Sequence, residues 1–502
     1  MSLADLRVEI GAVNDLLCAS SVLVWDSRTM MPKGGAEARG HQIASVIEAA
    51  RARLMGAGTA RAMEGALREI EGLPSDDAAV REVEAVRRAI AFHARIPADL
   101  LRRKAELRAA ANGAWIEARA TNRFDLFEPY LARTVALSRE YAAAIGGGGH
   151  PYDALIGLYE PGETVASLRA LFETLRAGIR PLLDRAASAP EPRLDVLRRS
   201  FPAERQRDFA RTIAAAFGYD FDRGRLDFTV HPFEISFTRA DVRITMRRAE
   251  TFDPPSIFGG FHEAGHGLYE QNVDEAYTRT ALATDLVGLY GVGGTSFGAH
   301  ESQSRLWENH VGRSARFWAR HFPDLRAAFP DALADMNADA FHAAVTHVRP
   351  GLIRTDADEL TYDLHIMLRV ELEARLIAGE IGARDVPAAW NEAMRRDLGR
   401  EVPSDAMGCL QDIHWSSGMI GSFCTYTIGN VMAAQLFETA VRDARIVQGL
   451  DSGDYAPLNH WLREAVWRHG RRFTREEILA QATGRGLDPA PYLAHLAARY
   501  GA

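Results

Sequence analysis

Residues 262–266 read His-Glu-Ala-Gly-His, and no other segment of the 502-residue sequence combines residue types and spacing so well suited to chemistry. On an α-helix, His262 and His266 lie one turn apart on the same face, so their imidazoles can hold one metal ion. Glu263 stands beside them, where its carboxylate can take a proton from an attacking water. The pattern indicates metal-assisted hydrolysis, and two ordinary surface histidines are the alternative.

A catalytic zinc site needs a third protein ligand and keeps a fourth position open. Glu270 lies one turn beyond His266 on the same helix, so its carboxylate would have difficulty reaching back to the same ion. Glu301 is expected to open a separate helix, within HESQSRLWEN, that can lie across the first. Spacing favours Glu301 among the downstream candidates, which are Glu270, Glu275, Asp285, Glu301 and Glu308.

The elements that must position these residues are mostly helical. The metal motif sits within a run of apolar residues at helical spacing, and Ser256 is a candidate N-cap for that helix. Just before it, residues 226–247 are rich in Phe, Val, Ile and Thr with partial alternation. This segment predicts a small antiparallel β-sheet of two or three strands. The fold class is therefore mainly α with one minor sheet.

The composition is that of a soluble globular enzyme, with 47% hydrophobic and 25% charged residues. A net charge of −8 argues against broad nucleic-acid binding. Three cysteines fit a reducing cytoplasm better than a disulfide framework, and the N-terminus lacks the pattern of a signal peptide. Residues 415–437 carry no charge, but their glycines and polar residues favour a buried, site-lining segment over a membrane span.

Six motifs occur in a single order along the chain: HPF at 231–233, DVRIT at 241–245, HEAGH at 262–266, HESQ at 300–303, IRTDAD at 353–358 and GCLQDIHW at 408–415. By these motifs the sequence resembles the Taq-type thermostable metallocarboxypeptidases over nearly its whole length. The resemblance implies a large helical, two-lobed body with a deep active-site groove, usually dimeric. It also implies one domain over 1–502, with a helical lobe to about residue 220 and a metal-binding portion from about 221.

The same resemblance implies that His262, His266 and Glu301 bind the metal and that Glu263 is the catalytic base. A two-histidine, one-glutamate site suits Zn²⁺, although Co²⁺ or Mn²⁺ can occupy it. The chain departs from the family pattern in two places: a longer loop at 284–295, and Ser422 and Cys424 near the family's aromatic and proline positions.

An exopeptidase must recognise a free carboxylate, and the planar arginine guanidinium can bind both of its oxygens. Arg354 in IRTDAD and Arg243 in DVRIT are the candidates. The alternative for Arg354 is a structural ion pair with Asp356 or Asp358, since most Arg–Asp neighbours are structural.

Amide hydrolysis passes through a tetrahedral oxyanion that a fixed hydrogen-bond donor can stabilise. Tyr426 and His231 are candidate catalytic donors, and His414 is a candidate substrate-binding residue. For each of them the alternative is a packed, hydrogen-bonded side chain without a role in catalysis.

These observations together predict a cytoplasmic, homodimeric metallocarboxypeptidase that releases single C-terminal residues from peptides. A related endopeptidase or dipeptidase with the same metal chemistry is the first alternative. A helical scaffold that has lost catalysis is the second, and the intact metal motif argues against it.

Overall fold

The computed structural model describes residues 2–147 and 149–501. Within this part the chain forms 20 α-helices, so the prediction of a mainly α fold is confirmed. They are α1 (Leu3–Thr29), α2 (Ala36–Leu54), α3 (Ala57–Glu69), α4 (Ala78–Ala94), α5 (Ala98–Thr121), α6 (Phe124–Ile145), α7 (Asp153–Ile156), α8 (Val165–Ala186), α9 (Ala203–Ala216), α10 (Pro254–Gln271), α11 (Phe297–Arg305), α12 (Ala315–Ala328), α13 (Ala338–Val345), α14 (Glu359–Ala378), α15 (Val386–Leu398), α16 (Cys424–Ala440), α17 (Ala444–Ser452), α18 (Ala456–Ala465), α19 (Arg475–Thr483) and α20 (Ala490–Tyr500). A π-helical segment, Leu306–Gly312, continues directly from α11.

The chain divides into two compact units, each assembled from separate stretches of sequence. The first unit contains Met1–His93, Glu191–Thr346 and Met432–Asp488. The second contains Ala94–Pro190, His347–Val431 and Pro489–Ala502. Residue 220, near which the sequence predicts the change from a helical lobe to a metal-binding portion, lies inside the first unit.

A small sheet in the first unit has three strands, β1 (Gly224–Thr229), β2 (Glu234–Thr238) and β3 (Asp241–Arg247). Strand β3 lies in the middle, antiparallel to β2 but parallel to β1. The prediction of an antiparallel sheet is therefore wrong in part, because the sheet is mixed. The chain reverses direction after β1 and again after β2, so β3 runs in the same direction as β1. Strand β3 then pairs with β2 on one edge and with β1 on the other.

Helix α10, which carries the two histidines, begins three residues earlier than predicted. Asp253 is its N-cap, and two prolines occupy the first turn, where their missing N–H groups cost nothing. Ser256 is not the N-cap; its hydroxyl instead donates to the Arg247 carbonyl at 2.7 Å. That bond ties the start of α10 to the end of β3. The opposite face of α10 is buried in the main core of the first unit through Ile257, Phe258, Phe261 and Leu268.

Helices α10 and α11 approach each other closely at Gly265. A Cβ atom placed there would lie 2.5 Å from the Gln303 carbonyl oxygen and 2.7 Å from the Ser304 Cα. Both of these contacts are with backbone, which cannot move aside as a flexible side chain can. A residue without a side chain is therefore required at this crossing, two positions along α11 from Glu301.

Helix α1 is long and apolar enough, by length and composition, to cross a membrane. In the structure its residues Leu6, Ile10, Val13 and Leu17 are buried in a second core of the first unit, together with residues of α2, α3 and α4. One face of α1 is therefore packed in this core. Residues 415–437 are also mostly buried, as the sequence predicts.

Replacement of Gly265 by Ala should separate α10 from α11. We expect overpacking to lower the free energy of unfolding by about 1–3 kcal/mol and to weaken metal binding, because Glu301 moves away from the histidines. Chemical denaturation and metal titration measure the two effects. Gly113→Ala in α5 is the matched control, since an added Cβ meets nothing within 4 Å and the change should be neutral or stabilising by about 0.5–1 kcal/mol. Equal behaviour of the two variants would contradict a packing requirement at Gly265.

Candidate metal centre

Two imidazoles and one carboxylate converge between α10 and α11. The Glu301 Oε2 atom lies 3.5 Å from His262 Nε2 and 3.3 Å from His266 Nε2. One ligand atom from each of the three residues can be chosen so that all lie within 4.8 Å of one another. Two histidine nitrogens and one carboxylate oxygen are a donor set found in catalytic zinc sites. The structure thus brings together the three residues that the sequence predicts as ligands, and they fit a divalent metal ion.

The Glu301 carboxylate is oriented by an arginine of its own helix. Arg305 donates through Nε to Glu301 Oε1 at 2.7 Å, which leaves Oε2 facing the two histidines. Burial alone would raise the pKa of Glu301, but Arg305 and His262 hold it well below its usual range. The carboxylate therefore stays ionised and presents a single oxygen to the site.

His262 has a second carboxylate partner on its outer side. Its Nδ1 lies 2.9 Å from Glu308 Oε2, on the π-helical segment. Glu308 is in turn held by Arg313 at 2.9 Å and by Arg305 at 3.4 Å. Such a partner fixes the ring and leaves Nε2 for the metal. The sequence offers Glu308 as a candidate ligand or as part of a stretch that packs behind the ligand helix, and the structure places its carboxylate behind His262.

The two histidines differ in their protonation. Burial is the main cause that lowers the pKa of His266 to about 3, so its ring is neutral. Burial acts on His262 in the same direction, but Glu301 and Glu308 outweigh it and raise the pKa of His262 to about 10. Metal coordination through Nε2 of His262 therefore requires the loss of a proton.

Glu263 follows His262 on α10 and is only 5% exposed. Burial raises the pKa of Glu263 to about 8; His262 opposes the shift, whereas the Glu301 and Glu234 carboxylates add to it. A carboxylate whose pKa lies near neutrality can both accept and return a proton.

The other acidic candidates lie outside this cluster. Glu270 accepts hydrogen bonds from the backbone N–H groups of Gly293 and Gly294. Glu275 is 85% exposed and pairs with Arg239. The carboxylate of Asp285 accepts bonds from the N–H groups of its own turn. Each of these three carboxylates is engaged elsewhere.

Two further candidate residues belong to the sheet of the first unit. His231 lies between β1 and β2, with an exposed side chain. Arg243, on β3, forms two hydrogen bonds of 2.9 Å with Asp241. Its guanidinium also lies 4.6 Å from the ring centre of Trp25 and 4.7 Å from that of Phe237. These contacts hold Arg243 in place within the sheet.

Arg354 belongs to a buried charge cluster in the second unit. Its Nε and Nη2 atoms both lie 2.9 Å from Asp412 Oδ1, and its Nη1 donates to the Tyr362 hydroxyl at 3.0 Å. Asp412 also accepts a bond of 2.7 Å from Arg369. The structural ion pair that is the alternative for Arg354 therefore exists, but its partner is Asp412. The two guanidiniums hold the pKa of Asp412 far below its usual range, although burial alone would raise it.

His414 and Tyr426 lie in the same cluster as Arg354. The Nε2 atom of His414 is 3.2 Å from the Tyr426 hydroxyl, and the Arg354 guanidinium lies 5.1 Å from the Tyr426 ring centre. Burial is the main cause that lowers the pKa of His414 to about 3, so its ring is neutral. The second unit thus brings together three of the predicted site residues.

Comparison with known proteins agrees with this chemistry. The profile of the carboxypeptidase Taq (M32) metallopeptidases matches residues 5–500. The chain belongs to this family. It is 39% identical to thermostable carboxypeptidase 1 of Thermus thermophilus, over 97% of this chain and 96% of that one. It is 36% identical to carboxypeptidase 1 of Bacillus subtilis, over 96% and 94%.

Solved structures of M32 carboxypeptidases share the fold. The crystal structure of the M32 carboxypeptidase from Deinococcus radiodurans R1 matches with a TM-score of 0.93 and 40% identity, over 99% of this chain and 98% of that chain. The chain is accordingly a metallocarboxypeptidase that acts on peptides, and membership of a metallopeptidase family implies a divalent metal.

Sequence reasoning missed several residues around the candidate site. Arg305 lies four positions after Glu301 on α11, a spacing that could have predicted their ion pair. Arg313 lies five positions after Glu308, which is not the spacing of an α-helical pair. Asp412 lies inside the GCLQDIHW motif, between Gln411 and Ile413, and could have been noticed there as the only acidic residue of the motif. Arg369, on α14, has no exposed side-chain surface and no sequence pattern that identifies it.

Removal of the Glu301 carboxylate should abolish tight metal binding. We expect Glu301→Ala to lose more affinity than the roughly 10–100-fold that loss of an outer-shell partner costs, because a direct ligand is removed. Competition with a chromophoric chelator measures the affinity. Glu275→Ala, which removes an exposed acid of the same unit, is the control and should bind metal like the wild type. Wild-type affinity in Glu301→Ala would show that the third ligand lies elsewhere.

Proposed function

We propose that this chain removes single residues from the C-terminus of peptides at a metal centre formed by His262, His266 and Glu301, with Glu263 as the general base. The observation that carries the proposal is the convergence of the three ligand atoms, all within 4.8 Å, beside a buried carboxylate. Zn²⁺ suits the donor set best, and Co²⁺ or Mn²⁺ can replace it.

When bound, the metal would supply Lewis-acid activation of the attacking water and of the scissile carbonyl. Glu263 takes a proton from that water and later delivers it to the leaving amine. Its pKa near 8, raised mainly by burial, supports both transfers. Arg305 keeps Glu301 ionised and directs one oxygen to the site.

We propose that Arg354, together with His414, binds the C-terminal carboxylate of the peptide. Arg354 and Arg369 share the single carboxylate of Asp412, so these three groups carry a net positive charge that favours an anionic ligand. Arg243 is a second candidate for the same contact. Tyr426 and His231 are the proposed donors to the oxyanion.

The remaining proposals follow from the sequence and the family resemblance. We propose a cytoplasmic homodimer with peptide substrates. The net charge of −8 supports the absence of a nucleic-acid partner, and the burial of α1 supports the absence of a membrane partner.

The role of Glu263 is tested by Glu263→Gln. The amide keeps the shape of the side chain but cannot accept the proton, so turnover should fall by about 10²–10⁴-fold while metal content stays the same. Steady-state rates and metal analysis on the same preparation measure both. Near-normal turnover in a metal-replete Glu263→Gln enzyme would falsify the general-base role.

Recognition of the C-terminus is tested with peptides that carry a free or an amidated C-terminus. In Arg354→Gln, kcat/KM for free-acid peptides should fall by the equivalent of about 2–4 kcal/mol of transition-state binding if the guanidinium contacts the carboxylate in a desolvated site. Rates for amidated peptides, which are poor substrates, should change little. Mass spectrometry of the released residues gives both rates.

Arg395→Ala is the control for this experiment, since Arg395 forms an exposed pair with Glu401 in the same unit. It should leave both rates unchanged. Equal cleavage of free and amidated peptides by the wild type would exclude carboxylate recognition and favour an endopeptidase. An equal loss on both peptides in Arg354→Gln would assign Arg354 a structural role.

A further inference from the structure

The outer nitrogen of His266 has a different partner from that of His262. His266 Nδ1 lies 2.5 Å from His300 Nδ1, and His300 Nε2 lies 3.0 Å from Glu270 Oε1. His300 is the histidine of the HESQ motif and directly precedes Glu301 on α11. Neither His300 nor Glu270 belongs to the ligand set, so the proposed metal centre alone leaves both without a role.

Glu270 determines which nitrogen of His300 carries the hydrogen. Its carboxylate accepts from the backbone N–H groups of Gly293 at 2.9 Å and Gly294 at 3.0 Å. Backbone amides can only donate, so the oxygens that face them must accept. Both oxygens of Glu270 therefore act as acceptors. The His300 Nε2 atom beside it must be the protonated nitrogen.

The same reasoning continues to His266. A metal ion on Nε2 of His266 would leave the hydrogen of that ring on Nδ1, and His300 Nδ1, 2.5 Å away, would accept it, with the His300 hydrogen on Nε2 facing Glu270. Nε2 of His266 is then unprotonated, and this is the nitrogen that lies 3.3 Å from Glu301 Oε2. One buried carboxylate thereby specifies the tautomers of two successive histidines.

Packing holds the intermediate ring in place. The His300 ring centre lies 4.5 Å from that of His266, with 23° between the ring planes, and 5.5 Å from that of Tyr269, with 20° between the planes. A Cβ atom at Gly294 would lie 2.5 Å from His300 Cδ2, so the loop that anchors Glu270 can approach only because it has glycine there. This loop lies within residues 284–295.

We propose that His300 and Glu270 are positioning residues that fix the tautomer and ring orientation of His266, so that Nε2 faces the metal. The inference rests on the proposed metal centre. It also implies that the two histidine ligands are unequal, because His262 donates directly to a carboxylate whereas His266 donates to a neutral imidazole. An anionic outer partner raises the basicity of a ligand more than a neutral one does.

Two substitutions of His300 separate the hydrogen bonds from the packing. His300→Phe keeps an aromatic ring at this position but removes both ring nitrogens. We expect the dissociation constant for Zn²⁺ to rise by about 10–100-fold. His300→Gln offers an acceptor and a donor in place of Nδ1 and Nε2, so it should restore most of the affinity. Chelator competition measures the constants, and the absorption spectrum of the Co²⁺-loaded proteins reports a change in ligand geometry.

His321→Phe is the matched control, because His321 is buried in the same unit and bonds to the Tyr455 hydroxyl at 3.0 Å rather than to the metal residues. It should alter stability without altering zinc affinity. Wild-type zinc affinity in a folded His300→Phe protein would overturn the positioning role of His300 while leaving the proposed metal centre intact. Failure of the wild type to bind zinc would overturn the metal centre itself.

A measurement on the zinc-loaded wild type decides the question even if His300→Phe does not fold. Nitrogen-15 NMR of labelled histidines should find the hydrogen on Nδ1 of His266 and on Nε2 of His300. A hydrogen on Nδ1 of His300, or none on Nδ1 of His266, would contradict the proposed positioning role of His300 and Glu270.

Discussion

The candidate active centre depends on how closely two helices can approach each other. The crossing of α10 and α11 at Gly265 places backbone against backbone, with no room for even a methyl group. Because α10 supplies His262 and His266 and α11 supplies Glu301, this contact sets the distance between the nitrogen ligands and the oxygen ligand. The rest of the first unit fixes α10 from outside, through the Ser256 bond to β3 and the apolar face buried in the core.

Buried charge is the second constraint, and the chain meets it by sharing partners. Arg305 contacts both the inner carboxylate Glu301 and the outer carboxylate Glu308, so one guanidinium serves two acids. In the second unit one acid is shared by two arginines, because Asp412 forms ion pairs with both Arg354 and Arg369. Breaking a buried pair leaves an uncompensated charge, which costs far more than a surface pair contributes. In both clusters, the loss of one charged side chain therefore leaves its buried partners with uncompensated charge.

The parts of this structure that the sequence predicts are those governed by local spacing. Helical periodicity identifies the helix of His262 and His266, and the motif order identifies the family. The failures arise where the deciding contact is distant in sequence. The pairing of β1 with β3 depends on which edge of β3 is free, and the partner of Arg354 is Asp412, far along the chain. Nothing in the residue types of Leu306–Gly312 indicates that the helix widens there and carries Glu308 behind His262.

The first unit is interleaved along the chain, and this has a consequence for biosynthesis. Trp467 donates through Nε1 to Gln303 at 2.9 Å, on the helix of the proposed ligand Glu301, and its ring belongs to the same core as Phe258 and Phe261. Trp467 is 164 residues downstream of Gln303, so α11 lacks this support until that later part of the chain has been synthesised. The helix that carries Glu301 therefore cannot reach its final packing while only the preceding part of the chain has left the ribosome.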